Sequence, residues 1–331
     1  MLSRVAERMY WLARNLERAE STARLVRVYG HFLMDLPPSV GTGWRTLIRI
    51  TGSDQLYSKR YNTYNETDVV HFLLADQDNP GSIMTALASV RENTRTSRDI
   101  MPSETWEKVN TLYLYANESL DSGLKRRERA AYLIQIGERC QQIVGMLAST
   151  MSRNYAHAFL MMGRHLERAD MTSRVIDVGA AELSYLEEQP LPFNQLLWTN
   201  VLRSLGAYQM YRLHSRRRVK GEGVLRFLLQ DDQFPRSVNY CLSRLQDCIG
   251  QLPRHDQPLQ SLLALQDAIN NDRPERLLDG DLHGYIDRLQ LDLIELHQAA
   301  YSVWFLIDDE TPVMTQSQDD QTQTQTQTQS N

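Results

Sequence analysis

The chain contains two copies of one charged segment, 150 residues apart. Residues 12–26 read LARNLERAESTARLV, and residues 162–176 read MGRHLERADMTSRVI. Seven of these fifteen positions are identical, and Glu20 of the first copy is matched by Asp170 of the second. Repeated units are stable when each buries its apolar face against its neighbour. The repeat therefore predicts that the two copies pack against each other.

Two further blocks recur in the same order. The block FLLADQDNPGSI that starts at Phe72 returns as FLLQDDQFPRSV from Phe227. Four residues between the charged segment and this block also recur with the same spacing in the second half. Trp44, Arg49, Gly52 and Tyr57 correspond to Trp198, Arg203, Gly206 and Tyr211. The offset between the copies drifts from 150 to 155, as small insertions after a duplication would produce. We predict a first repeat over residues 1–150 and a second over residues 151–312.

The spacing of the apolar residues predicts α-helices. From Met9 to Val26 they alternate separations of three and four, which is typical of a helix with one apolar stripe. Tyr10 and Trp11 lie off this stripe, so the helix is apolar on more than one side, as a central helix of a bundle would be. The predicted fold is all-α, a helical bundle of two diverged repeats related by a pseudo-two-fold axis. Further helices are expected over residues 106–118, 128–147, 258–270 and 282–307, with another starting at Asn79-Pro80.

Composition limits where in the cell the protein is expected and which classes of function it can have. The chain has 331 residues and a net charge of −5, which argues against a general nucleic-acid-binding protein. The N-terminus lacks the apolar core of a signal peptide, and the longest apolar stretch, 299–307, is too short to span a bilayer. We expect a cytoplasmic protein that does not bind a membrane. Residues 313–331 are rich in Gln and Thr and nearly devoid of apolar side chains, which predicts a disordered tail.

The repeated segment carries the pattern R-x-L-E-R-A-[ED]-x-T-x-R. On a helix, the spacing lets Arg14 reach Glu17 and Glu20 reach Arg24, and the second copy predicts the pairs Arg164–Glu167 and Asp170–Arg174. Exposed pairs of this kind contribute only some tenths of a kcal/mol. Because both copies keep the pattern, we predict that these groups are partly buried where the two equivalent helices meet.

Two interpretations of this pattern stay open. In the first, an ion network fixes how the two copies pack. In the second, arginines hold an anionic ligand and glutamates orient them. The candidate ligand-binding residues in the pattern are Arg14, Arg18, Arg24, Arg164, Arg168 and Arg174.

A second group of arginines occurs only in the first copy. Arg91, Arg95 and Arg98 have the spacing i, i+4 and i+7, which predicts one face of a helix. This face either binds a carboxylate or phosphate or is simply solvated. Arg236, which stands where the first copy has Gly81, is expected to lie elsewhere in the molecule. No Gly-rich phosphate loop, H-E-x-x-H or Glu-x-x-His pattern is present, so we predict neither a metal site nor a bound cofactor.

Taken together, several segments resemble the bacterial alpha-E proteins. They are MLSRVAERMYWLARNLERAESTARL, then FLLADQDNPGSI with RENTRTSR and SETWEKVN, and GRHLERADMTSRVID. The resemblance covers residues 1–310 and implies an all-helical fold. It places the family's glutamate–arginine motif on Glu17, Arg18, Glu167, Arg168 and Asp170.

The resemblance also implies partners. Alpha-E proteins are commonly encoded beside a circularly permuted ATP-grasp protein, often with a transglutaminase-like protein nearby. This setting implies a system that forms or processes amide or peptide bonds. The expected partners are thus the ATP-grasp protein and possibly the transglutaminase-like protein or a peptide substrate.

Three functions remain as alternatives at this stage. The first is an accessory or co-catalytic subunit of an ATP-grasp amide or peptide ligase, which binds the ligase or its acidic substrate. The second is a stand-alone enzyme for an anionic substrate, with Glu17 and Glu167 as candidate acid and base groups and arginines as clamps. The third is a plain helical scaffold. Whether the chain is an enzyme is left open by its sequence.

Overall fold

The computed structural model describes residues 3–35, 43–184, 191–216, 218–278 and 280–306. Within these ranges the chain folds into sixteen α-helices and one 3-10 turn, with no strand. The all-α prediction is therefore confirmed. The predicted tail, 313–331, and the last residues of the second predicted repeat, 307–312, lie outside the described ranges. None of the described helices is long and apolar enough to cross a membrane.

The helices follow one another with short connections. In the first half they are α1 (Ser3–Asp35), α2 (Arg45–Ile50), α3 (Asp54–Ser58), α4 (Glu66–Leu74), α5 (Ile83–Arg95), α6 (Ser103–Glu118), α7 (Leu120–Leu124) and α8 (Arg129–Thr150). The second half comprises α9 (Tyr155–Ser184), α10 (Leu191–Ser204), α11 (Tyr208–Ser215), α12 (Gly221–Gln230), α13 (Val238–Ile249), α14 (Asp256–Asn271), α15 (Pro274–Leu278) and α16 (Leu282–Trp304). The 3-10 turn covers Arg98–Ile100.

The two longest helices, α1 and α9, carry the repeated segments and form the centre of the bundle. In α1, Leu12, Leu16 and Ala19 on the apolar stripe are buried, and so is Tyr10 off the stripe. The prediction of a central helix that is apolar on more than one side is thus confirmed for α1. Because a charge that is buried between helices loses its contact with water, the buried charged residues of α1 must find partners inside the protein.

The helices around the centre interlock the two halves. In the first half, α1 packs against α5 and α8, and in the second, α9 packs against α13 and α16. The short helices cross over, since α2 packs against α9 and α10 packs against α1. The predicted boundary at residue 150 falls at the end of α8, but α1 and α9 share one interior. The pseudo-two-fold symmetry of the whole chain stays a prediction.

Two aligned glycines end equivalent short helices. Gly52 follows α2 and Gly206 follows α10, and both have φ of +64°. This left-handed conformation costs a residue with a Cβ atom about 1–2 kcal/mol. Arg174 of the second half lies against Gly52, and Arg24 of the first half lies against Gly206. The turn therefore reverses the chain and also leaves space for an arginine from the other half.

Two predicted helix boundaries are wrong. Helix α5 starts at Ile83 with Ser82 as its N-cap, whereas the Asn79-Pro80 pair had been expected to start it. Asn79 is instead used in the preceding turn, where its Oδ1 accepts a hydrogen bond from the Gly81 amide and its Nδ2 donates one to the Phe72 carbonyl. The same helix ends at Arg95, because the chain continues into a 3-10 turn. Arg98 is therefore not on α5.

We predict that Gly52→Ala lowers the free energy of unfolding by about 1–3 kcal/mol, because the substituted residue is strained at positive φ. Its Cβ would also lie 2.4 Å from Nη1 of Arg174. Gly206→Ala should cost less, since there the nearest atom, Nη1 of Arg24, is 3.3 Å away. Urea-induced unfolding measures both. The control is Gly137→Ala within α8, where nothing lies within 4 Å of the added atom and helix propensity favours alanine. Equal effects of all three substitutions would contradict the prediction.

Candidate functional site

The two glutamates of the repeated pattern, Glu17 and Glu167, each form ion pairs with arginines across the interface between α1 and α9. Glu17 accepts a hydrogen bond from Nε of Arg168 at 2.8 Å and one from Nε of Arg164 at 3.3 Å. Glu167 accepts hydrogen bonds from Nε of Arg14 at 2.8 Å and from Nε and Nη2 of Arg18 at 2.6 and 2.9 Å. Each glutamate is thus held by arginines of the other repeated segment.

This crossed arrangement corrects part of the predicted pairing. Arg14 bonds Glu167 and not Glu17 on its own helix, and Arg164 bonds Glu17 and not Glu167. The i, i+3 spacing permits the local pair, but each carboxylate is buried in the interface and can be satisfied only by groups that also reach into it. The arginines extend from the facing helix into that space. The prediction that these groups meet between the two helices is confirmed.

The predicted outer pairs of the pattern are local. Arg24 pairs with Glu20 and Arg174 with Asp170, both at the i, i+4 spacing. The second pair has an Nε to Oδ1 distance of 2.9 Å. Because these arginines also lie against Gly206 and Gly52, they connect the central helices to the short helices of the other half.

Arg236 belongs to the same cluster, against expectation. Its Nη1 donates to Oε1 of Glu17 at 2.7 Å, and its Nη2 donates to Oε1 of Glu20 at 3.1 Å. It precedes the N-cap of α13, Ser237, and α13 packs on α9, which brings it to the centre of the molecule. The only sequence signal was that the first copy has glycine at this position.

Burial and pairing together determine the charge state of the cluster. The side chains of Glu17 and Glu167 are 1% and 2% exposed. Burial by itself raises the pKa of Glu17, but Arg236 and Arg168 outweigh it and hold the pKa well below its usual value. Burial likewise raises the pKa of Glu167, while Arg18 and Arg14 lower it to about 2. Both carboxylates are therefore ionised at neutral pH.

Cations outnumber anions in the cluster. Four carboxylates, those of Glu17, Glu20, Glu167 and Asp170, face seven guanidinium groups, those of Arg14, Arg18, Arg24, Arg164, Arg168, Arg174 and Arg236. Burial, followed by the repulsion of Arg236, lowers the pKa of Arg24 to about 10. The centre of the molecule is therefore positively charged, although the chain as a whole is negative.

The arginines of the first copy do not form one helical face. Nε of Arg91 donates to Oδ1 of Asn110 at 2.8 Å, and its guanidinium lies 5.5 Å from the ring centre of Trp106. Arg98, on the 3-10 turn, lies 3.8 Å from the centre of the same ring. Arg95 is exposed and pairs with Glu92. Two of the three arginines are thus held on one tryptophan, and the third is on the surface.

A cavity of about 140 Å³ opens beside the cluster, between α1, α8 and α9. Its inner end contains buried Glu17 and Glu20, whereas Ala148 and Arg153 at its outer end are exposed. Arg164 also lines it. The sequence pattern did not reveal this cavity, because α8 contributes to it only through tertiary packing.

Two aspartates and a histidine form a separate group away from the central cluster. Side-chain atoms of Asp177, His283 and Asp287 lie within 4.8 Å of one another. Nδ1 of the imidazole is 2.7 Å from Asp177, and Nε2 is 3.6 Å from Asp287, so the ring bridges two carboxylates. Its hydrogen bond to Asp177 raises the pKa of His283. This geometry is an ion pair that joins α9 to α16.

We predict that Glu17→Ala costs about 3–5 kcal/mol of unfolding free energy, because Arg164, Arg168 and Arg236 lose a buried partner. Denaturant titration followed by circular dichroism measures the loss. The control is Glu92→Ala, which removes an exposed pair with Arg95 and should change the unfolding free energy far less, because solvent screens the pair. Similar losses for the two variants would show that the crossed pairs act like surface pairs.

The pH dependence of stability gives a second prediction. Glu167 has a folded-state pKa of about 2, below its ordinary value of 4.5, so its contribution is full above pH 4.5 and is lost as the pH falls toward 2. The shift corresponds to roughly 3 kcal/mol. Glu167→Gln removes this titration, so the stability gap between wild type and variant should narrow between pH 5 and pH 2. Urea titrations at several pH values measure it, and a gap that stays constant would refute the assignment.

Comparison with known proteins agrees with this geometry. Residues 1–305 match the alpha-E family, described as a predicted alpha-helical domain with a conserved ER motif. Uncharacterized proteins of Mycobacterium bovis and Mycobacterium tuberculosis are 22% identical over 297 residues, covering 83% of this chain and 31% of theirs. The chain thus spans about a third of the length of these relatives. No solved structure matches it. The match over nearly the whole described chain shows that this protein belongs to the alpha-E family.

Proposed function

We propose that this protein is an accessory subunit of an ATP-grasp amide or peptide ligase system, which binds the ligase or its acidic substrate. The observation that carries the proposal is the state of the two candidate catalytic carboxylates. Three arginines hold Glu17 and two hold Glu167, and both side chains are almost completely buried. The charged core therefore serves binding and assembly better than proton transfer.

The rival function, a stand-alone enzyme, requires a group that exchanges a proton near neutral pH. A general base also has to reach its substrate. Glu17 and Glu167 have lowered pKa values and are occupied by guanidinium groups, so neither exchanges a proton near neutral pH. An ATP-grasp partner would supply the nucleotide chemistry for which this sequence has no recognisable motif.

The length of the mycobacterial relatives supports a function that depends on additional protein domains. The matching region makes up 31% of their chains, so most of each relative lies outside it. A helical unit that is joined to a longer chain in one protein is suited to binding a separate partner in another. The resemblance to proteins encoded beside an ATP-grasp enzyme indicates which partner to test.

The end of α5 is the surface that we assign to the partner. Arg95 is 53% exposed, and its only pairing within the described chain is with Glu92, which is 58% exposed. Nearby, Nη1 of Arg8 donates to the Thr96 carbonyl at 3.2 Å, and exposed Arg98 is fixed above Trp106. Guanidinium groups held in this way are suited to an acidic segment of a partner or its substrate.

We predict that Arg95→Glu abolishes co-purification with the ATP-grasp protein of the same organism while thermal stability stays nearly unchanged. The stability should persist because only an exposed pair is lost. The measurement is affinity purification of the tagged chain, together with ATP turnover by the ligase in its presence.

The matched control is Arg244→Glu on α13. Arg244 forms an i, i+3 pair with Asp247, and the two side chains are 48% and 56% exposed, close to the values of the Arg95 pair. Arg236 would not serve as a control, because it lies in the central cluster. Equal binding by the two variants would reject the assigned surface, and wild-type protein that neither binds nor stimulates the ligase would reject the proposed function.

A further inference from the structure

The cavity between α1, α8 and α9 has apolar walls over most of its extent. Leu12 and Leu16 from α1, Val144 and Leu147 from α8 and Leu160 from α9 contribute them. Its volume is about 140 Å³. In another protein, an engineered apolar cavity of about 150 Å³ takes up benzene. The cavity therefore has room for an apolar group of about the size of a leucine side chain.

The charged end of the cavity offers hydrogen-bond donors. Arg164 lines the cavity, and among the described residues its side chain makes one hydrogen bond, from Nε to Oε2 of Glu17 at 3.3 Å. The Nη groups are thus available to a ligand. Burial and the repulsion of Arg168 lower the pKa of Arg164, so its charge is incompletely compensated in the protein. A carboxylate placed beside it would supply that compensation.

The same end offers an acceptor. Glu20 is buried and lines the cavity, and three donors converge on its Oε1: Nη2 of Arg24, Nε2 of Gln141 and Nη2 of Arg236. Within the described chain no donor contacts Oε2. An ionised carboxylate has about four acceptor sites on its two oxygens, so Oε2 is available to an ammonium group.

The donor and the acceptor are close neighbours. The guanidinium of Arg236 bonds both Glu17 and Glu20, at 2.7 and 3.1 Å, and Arg164 contacts the same Glu17. A ligand at this end therefore meets a positive group and a negative group that both line the cavity. A hydrocarbon would leave Oε2 of Glu20 and the Nη groups of Arg164 without a hydrogen bond. An alkyl carboxylate would satisfy only Arg164, and an alkyl amine would satisfy only Glu20.

We propose that this cavity binds a single apolar α-amino acid of about the size of leucine. Its carboxylate bonds Arg164, its ammonium group bonds Glu20, and its side chain packs among the leucines of α1, α8 and α9. The exposed outer end, at Ala148 and Arg153, is the entrance. This site goes beyond the proposed function and does not depend on it.

The test is calorimetric titration of the full chain with L-leucine, 4-methylpentanoate and 3-methylbutylamine. The last two compounds keep the apolar group and lack the ammonium or the carboxylate. Leucine should bind roughly tenfold or more tightly than either, because each omitted group loses a charge-assisted hydrogen bond. Glu20→Gln should reduce this preference over 4-methylpentanoate. The proposal would be overturned if leucine did not bind, or if either fragment bound as tightly as leucine.

A blocking variant tests the location. Ala148→Trp places a large side chain at the exposed entrance on α8 and should abolish leucine binding with helical content unchanged. Ala131→Trp is the matched control, since Ala131 is also exposed on α8 and does not line the cavity. The control should bind like the wild type. Retained binding in Ala148→Trp would overturn the assigned site. Should that variant not fold, the preference of Glu20→Gln for leucine over 4-methylpentanoate decides whether the site is assigned correctly.

Discussion

The crossed pairing of Glu17 and Glu167 with arginines of the opposite helix is the interaction on which the rest of the structure depends. A buried carboxylate without a partner is strongly destabilising, so α1 and α9 must dock in a register that satisfies both. A shift of either helix along the other would break part of this set of bonds, because each carboxylate is held by two arginines of the facing helix. Close approach is possible because Gly163 has no side chain, where a Cβ atom would lie 2.2 Å from the Tyr10 carbonyl oxygen. Such pairs contribute less to net stability than to the choice of one arrangement.

The same register organises the surroundings of the central helices. Arg24 and Arg174 extend beyond the crossed pairs to the glycine turns after α10 and α2, each in the other half of the chain. Neither half can therefore bury its central helix alone. This mutual dependence explains why residues far apart in the chain share one interior. The arginines of the repeated pattern thus have two kinds of contact: Arg14 and Arg18 bind the facing central helix, whereas Arg24 lies against the turn at Gly206.

The two halves differ around this common frame, and one difference lies at the glutamates. Glu17 has a third partner, Arg236, whereas the corresponding first-half position is Gly81. The additional guanidinium joins Glu17 to Glu20, and the apolar cavity opens on the same side. An accessory role in a ligase system is compatible with a core that binds charged groups without exchanging protons.

The sequence by itself determined the helical class and the central position of the repeated segments, and it aligned Gly52 with Gly206. The first two follow from local physics, because apolar spacing of three and four gives a helix an apolar stripe that must be buried. Tertiary structure alone decided the partners of Arg14 and Arg164, the place of Arg236, the end of α5 before Arg98 and the cavity beside α8. Spacing along one helix shows which residues share a face, but a long arginine side chain reaches its own helix and a neighbouring one equally well. Which carboxylate it meets depends on how the helices dock, and that is set by the burial of the whole interior.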